Sequence, residues 1–335
     1  MQSFFNLTKM NIKLTKSLKS IRQILNITTG LTIAFNLLAT PLIAADPFRN
    51  NNPQPIGDKT EAAFKALFVE ANYKQALDYI DEALLSEPNE PLAYAMKASL
   101  AYLTEDWGTL KTYATKTREM GEQLTASNPL RGNLYTAAGH FLEGGSALTE
   151  EGAVKATPQA LAKLRQVFQY LDTAEKISPQ DPELNLFKGY MDLILSVYLP
   201  FSEPSEAITR LQKYAAPGYL ANRGIAVGQR NLKQYQQALQ SIDSAIKETP
   251  NNPEVHYLKA QILFNLKKYP EAKENFQLAL AKPDQLPKNL VQQIYFEKCR
   301  NLNRIDNKPR NCDALRDKIT ETAGIWAPAE LPSLD

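Results

Sequence analysis

The sequence predicts an all-α solenoid: antiparallel helix pairs stacked in series, with degenerate pairs in the middle and a helical C-terminal cap. Three observations predict it. From Lys59 onward the apolar residues recur at helical spacing, and the alternation of a half-buried strand is missing. The segments SEPNEP (86–91), SPQDPE (178–183) and TPNNPE (249–254) punctuate this pattern. In each, one proline ends a helix and a second opens the next, where its missing N–H costs nothing. Finally, LKQYQQALQSIDSAIKETPNN (232–252) is echoed thirty-four residues later by LKKYPEAKENFQLALAKPDQL. A fixed period of that size marks a stacked-repeat architecture.

Taken from the N-terminus, residues 1–45 differ from the rest. They hold five basic residues (Lys9, Lys13, Lys16, Lys19, Arg22) and no acid, and run into the apolar LTIAFNLLATPLIAAD. That is the layout of a secretory signal peptide with cleavage after Ala45. The alternatives are an organelle transit peptide and an uncleaved anchor over residues 23–45, the latter weakened by Asn26, Asn36 and Pro41. The formal charge of +2 comes from this segment; the remainder carries 33 basic and 36 acidic residues. A mildly acidic body has no overall attraction for nucleic acid. Residues 46–58, DPFRNNNPQPIGD, lack any apolar period and read as a flexible linker.

The repeat is defined by spaced residues. Tyr235, Ala238, Ile242, Ala245 and Pro250 recur as Tyr269, Ala272, Phe276 and Ala279, with Pro283 one residue early. Tyr73, Ala76, Ile80, Ala83 and Pro88 reproduce the full set. This pattern resembles the tetratricopeptide repeat family, whose 34-residue helix–turn–helix unit has these residue types at these places. The resemblance implies large residues between helices, alanines at close approaches, and a proline ending the second helix. It departs from the family in the first helix, where Lys97–Ala98, Lys188–Gly189 and Lys259–Ala260 keep only the small member of the usual pair. Tyr94 and His256 fill the expected aromatic position, and Asn222 does not.

On this reading, N-terminal units span 59–124, degenerate units 125–218, and clear units 219–286. Capping helices cover 287–323, and an extended tail covers 324–335. Cys299 and Cys312 either pair, stapling the capping hairpin, or remain separate thiols; their spacing excludes a CxxC redox motif.

No catalytic, metal or cofactor motif emerges. His140 and His256 are the two histidines, far apart and without ligand partners at metal spacing. His256 reads as a packing residue and His140 as a helix-end or loop residue. The glycines of EGGSALTEEG (143–152) lack the lysine of a phosphate loop and read as a longer loop between helical blocks. The chain is therefore expected to be a non-enzyme. An enzyme or ligand-binding protein using residues 125–181 is the alternative.

The family resemblance implies a concave groove lined by first helices, offered to a partner protein or peptide. Position by position this selects Glu183, Leu186, Tyr190, Leu193 and Ile194; then Leu220, Arg223, Val227, Arg230 and Asn231; then Glu254, Tyr257, Gln261, Phe264 and Asn265. The two arginines suggest an acidic group on the partner. Architecture and signal also resemble exported tetratricopeptide repeat proteins of cyanobacteria. That likeness implies a scaffold or assembly factor of the periplasm or thylakoid lumen, with a membrane-tethered adaptor as the rival.

Overall fold

Each proline punctuation mark opens a new first helix, and the chain builds a run of antiparallel pairs. The computed structural model describes residues 46–151, 153–198 and 204–334; the signal-peptide expectation for 1–45 lies outside them. Among the described residues there are fourteen α-helices in seven pairs. The first pair is α1 (Asp58–Phe64), prolonged by a π-helical turn over Lys65–Glu70, with α2 (Tyr73–Ser86). Then come α3 (Pro91–Leu103) with α4 (Trp107–Leu124), and α5 (Pro129–Glu151) with α6 (Ala153–Ile177). The series continues with α7 (Pro182–Tyr198) and α8 (Pro204–Tyr214), then α9 (Gly218–Asn231) and α10 (Tyr235–Ile246). It ends with α11 (Pro253–Asn265) and α12 (Tyr269–Ala279), and α13 (Lys288–Asp306) and α14 (Cys312–Thr320). Each pair packs on the next, so one pair's uncovered apolar face is buried by its neighbour.

The spaced residues occupy this stacking interface. Ala76, Ile80 and Ala83 are fully buried, as are Ala238, Ile242, Ala245, Ala272 and Ala279. The turns repeat too. Ala71 and Glu105 have positive φ, as do Lys233 and Lys267, and each of these pairs is thirty-four residues apart. After three of them the next N–H reaches back five residues: Asp106 to Ala101 O, Gln234 to Gln229 O and Lys268 to Leu263 O, at 2.8–2.9 Å. That bond satisfies a carbonyl the helix end would orphan, and it turns the chain into its second helix. A further bond ties three first helices, α3, α7 and α11, to the preceding proline. Tyr94 Oη donates to Pro88 O (2.9 Å), Asn185 Nδ2 to Pro179 O (3.0 Å) and His256 Nε2 to Pro250 O (3.1 Å). His256 is thus a packing residue that pins a helix start.

The middle pair corrects two expectations. Residues 143–151 are not a loop but the last turns of α5, which together with α6 forms the longest pair. Gly144 and Gly145 sit in that helix with room for a Cβ, and the close approach comes earlier: a Cβ on Gly139 would meet the backbone N of Arg118 at 2.4 Å, so α4 and α5 touch backbone to backbone there. His140 lies in mid-helix rather than at a helix end. It is buried, stacks on Tyr170 with ring centroids 5.6 Å apart, and places Nδ1 3.2 Å from Glu143 Oε2.

At the C-terminus a disulfide joins Cys299 to Cys312 across α13 and α14, with Cα atoms 5.6 Å apart. The extended tail folds back over α13: Ala327 N donates to Leu286 O and Tyr295 Oη to Pro332 O. The early turns also touch the late ones. Asn252 Nδ2 reaches Phe68 O (3.5 Å) and Asn289 Nδ2 reaches Leu103 O (2.6 Å), so the first two pairs meet the last two. Among the described residues, no helix is long and apolar enough to cross a membrane.

Candidate functional site

The first helices form the inner layer, and their two halves present different surfaces. In the N-terminal half, α1, α3, α5, α7 and the start of α9 converge on a cavity of about 260 Å³. Phe48, Leu100, Leu134, Phe187, Met191 and Leu220 give its character, and Leu186 and Tyr190 also face it. The Tyr190 hydroxyl is used internally, donating to Leu220 O at 2.6 Å.

At one side of the cavity lies a buried ionic network, produced by the punctuation motif itself. The residues flanking the opening prolines are acidic: Glu90 before Pro91, and Asp181 and Glu183 around Pro182. A carboxylate there accepts otherwise orphaned N–H groups and faces the positive end of the helix dipole. Glu90 accepts from Leu92 N and Asp181 from Leu184 N. Two arginines complete the network. Arg131, in the first turn of α5, bonds Glu90 through both Nη atoms (2.8 and 3.2 Å) and Glu183 through Nε (3.2 Å). Arg49 donates Nε and Nη2 to Asp181 (2.8 and 2.9 Å), Nη2 also to Glu183 (2.8 Å), and Nη1 to Asp46 (3.0 Å). Tyr135 Oη donates to Glu183 Oε1 at 2.5 Å. Burial pushes the Glu183 carboxyl up, but Arg131 and Arg49 outweigh it and hold the group below the usual carboxylate range.

Arg49 belongs to the segment expected to be a flexible linker. Instead Phe48, Arg49 and Ile56 are buried, and Asn128 Nδ2 holds Gln54 at 2.6 Å. Residues 46–57 lie as an ordered strap against α5 and α7. The physical reason is ionic: Asp181 and Glu183 together need more positive charge than Arg131 supplies, and Arg49 supplies it.

In the C-terminal half the inner layer is filled and cross-linked by polar groups. Arg223 of α9 pairs with Glu254 at the start of α11 (2.7 Å), both almost wholly buried. Arg230 donates to Gln261 and to Asn231 Oδ1, Gln261 Nε2 donates to Glu297 of α13 (2.9 Å), and Tyr257 Oη donates to Glu297 (2.9 Å). Burial, then Glu297, pushes the Tyr257 hydroxyl well up. Leu193, Leu220 and Val227 are core residues, and Ile194 is half-buried against the cavity. The acidic partner expected for Arg223 is internal: Glu254 occupies that role, because a buried guanidinium must be paired within the fold. Of the residues selected from sequence, Arg230, Gln261 and Phe264 are half-buried, while Asn231 and Asn265 are exposed.

A family comparison identifies one part of this framework. Residues 232–294, covering α10 to α12 and the start of α13, match the family model described as tetratricopeptide repeat. This stretch carries the tetratricopeptide repeat, and the stacked pairs before it share its architecture. No curated protein matches it. Tetratricopeptide repeats build protein-interaction scaffolds, and the matched stretch lies in the half whose inner layer carries amide and guanidinium groups. Sequence reasoning missed Phe48, Arg49, Glu90, Arg131 and Tyr135. For Glu90 a signal existed, since it stands at a helix-opening proline as Glu183 does; for Arg49, inside an Asn/Pro stretch, none did. Among the described residues, no three His, Cys, Asp or Glu side chains are grouped to hold a metal ion.

Proposed function

We propose that this protein is an exported, non-enzymatic tetratricopeptide repeat scaffold or assembly factor that receives a partner peptide or protein on the C-terminal half of its inner layer. The observation that carries the reading is the row formed by Asn231, Arg230, Gln261 and Asn265 at the ends of α9 and α11, beside half-buried Phe264. Amides and a guanidinium at that spacing offer donors and acceptors to an extended backbone, and the aromatic ring offers an anchor. Export is supported by the signal-like layout of residues 1–45 and by the Cys299–Cys312 bond, which suits an oxidising compartment. N-terminal sequencing of the native protein separates this from a tethered adaptor: a start at Asp46 removes the tether.

The binding test uses Arg230→Ala/Asn265→Ala protein in crosslinked capture from the native compartment. Arg223 is unsuited to it, since its loss would strip the buried Glu254 of its guanidinium. The double variant should keep its circular dichroism and lose the partners captured by wild type. An unchanged partner set from folded variant protein would sink the groove reading.

A further inference from the structure

We propose that the cavity of the N-terminal half is a binding site for a small, neutral, hydrophobic molecule. It lies apart from the peptide row above, and the inference does not depend on that reading. Size is the first argument. A cavity of roughly 150 Å³ lined by Leu, Ile and Phe stays dry and takes up a benzene molecule. At about 260 Å³, this one has room for a larger hydrocarbon.

The chemistry of the wall decides against a polypeptide. A peptide carries an N–H and a C=O at nearly every residue, and burying them unpaired costs free energy. The wall here is chiefly Phe, Leu, Met and Ala from five successive repeats; Glu183 at its side is engaged by Tyr135, Arg49 and Arg131, and the hydroxyls of Tyr135 and Tyr190 are already donated internally. Ser99 and Tyr73 supply the remaining hydroxyls, too few for a backbone with an N–H and a C=O at nearly every residue. The side of the inner layer beside the cavity is also taken by the strap of residues 46–57, held by Arg49.

Charge decides against an anionic amphiphile. Asp46, Glu90, Asp181 and Glu183 surround two cations, Arg49 and Arg131, and leave an excess of negative charge. Glu183 has both oxygens engaged, Oε1 by Tyr135 and Oε2 by Arg49 and Arg131. A carboxylate or sulfonate headgroup would find no free arginine there and would meet like charge. An uncharged chain or ring system meets neither penalty.

The test titrates the full mature chain with the neutral fluorophore N-phenyl-1-naphthylamine, then displaces it with 1-decanol or decanoate. Expected are saturation near one equivalent, displacement by decanol at about tenfold lower concentration than decanoate, and about tenfold weaker fluorophore binding to Ala95→Phe. Ala95 is half-buried on the cavity wall, so a phenyl ring there fills the site. Circular dichroism and the melting temperature establish that the variant folds; if it does not, Ser99→Leu on the same wall takes its place. Absence of saturable binding by folded wild type would overturn the proposal. So would unchanged binding by a folded cavity-filled variant, equal displacement by decanoate, or displacement only by an apolar peptide.

Discussion

The two halves of the inner layer begin from the same local motif and end in opposite chemistry. Pro182–Glu183 opens α7, and Pro253–Glu254 opens α11; each glutamate pairs with an arginine of an earlier first helix, Arg131 or Arg223. In the C-terminal half the pair joins two first helices of the repeats themselves, and polar bonds continue from α9 through α11 to α13. In the N-terminal half the acids are joined by Asp181 and Glu90, so the network draws in Arg49 from outside the repeats. The long first helices around it leave an apolar cavity. Repeat register therefore fixes how helices stack and leaves free what the inner layer displays.

The largest expected effect tests the claim that the N-terminal network is the more heavily committed one. Glu183→Gln removes the charge that faces Arg49 and Arg131 and accepts from Tyr135. Breaking a buried ion pair from one side costs roughly 3–5 kcal/mol. Glu254→Gln leaves one buried arginine short, against two for Glu183. Urea unfolding of both variants should show the larger midpoint shift for Glu183→Gln and exposure of Phe48 with it. A larger loss for Glu254→Gln would reverse the comparison.

The next effect addresses what the halves share. Ala272 is fully buried where α12 packs on its neighbours, at the same register as Ala76 and Ala238. Ala272→Leu should overpack the interface and cost roughly 1–3 kcal/mol. Ala76→Leu, in the first pair, should cost a comparable amount, because the stacking geometry is common to both ends. A normal melting temperature for either variant would show that the thirty-four-residue register does not describe that end.

That register was the legible part of the molecule. Pro, Tyr and Ala at fixed offsets report backbone stacking, a local matter, and His256 was readable as packing because it shares its offset with Tyr94. The segment EGGSALTEEG was not readable: its glycines suggest a loop, yet Gly144 and Gly145 are carried within the long helix α5, whose close packing is set elsewhere, at Gly139. Nor was the strap. Arg49 is ordered by acids more than 130 residues away while Phe48 beside it packs on Phe64, and nothing local to an Asn/Pro stretch announces a distant carboxylate. The groove residues were correctly placed on first helices, yet which of them stay exposed depends on pairings such as Arg223 with Glu254, which span thirty-one residues.

The smallest expected effect sharpens the comparison through pH. In the N-terminal half Glu143 bonds His140, Lys163 and Arg118. Burial pushes its carboxyl up, but those three partners prevail and hold it down to about 2, from an ordinary value of 4.5. A carboxyl depressed on folding contributes stability in full above its unfolded value and loses it as pH falls toward the folded one. The contribution of Glu143 is therefore complete above about pH 5 and fades between there and pH 2. In the C-terminal half Glu248 behaves oppositely, since burial raises its carboxyl. The melting temperature of wild type should exceed that of Glu143→Gln at pH 6, and the gap should close steadily between pH 4.5 and 2. Glu248→Gln should show no such closing gap, because protonating that carboxyl relieves a penalty rather than removing a bond. If the two variants track each other through this range, acid sensitivity does not distinguish the halves, and the ionic commitment of the N-terminal repeats is no greater than that of the C-terminal ones.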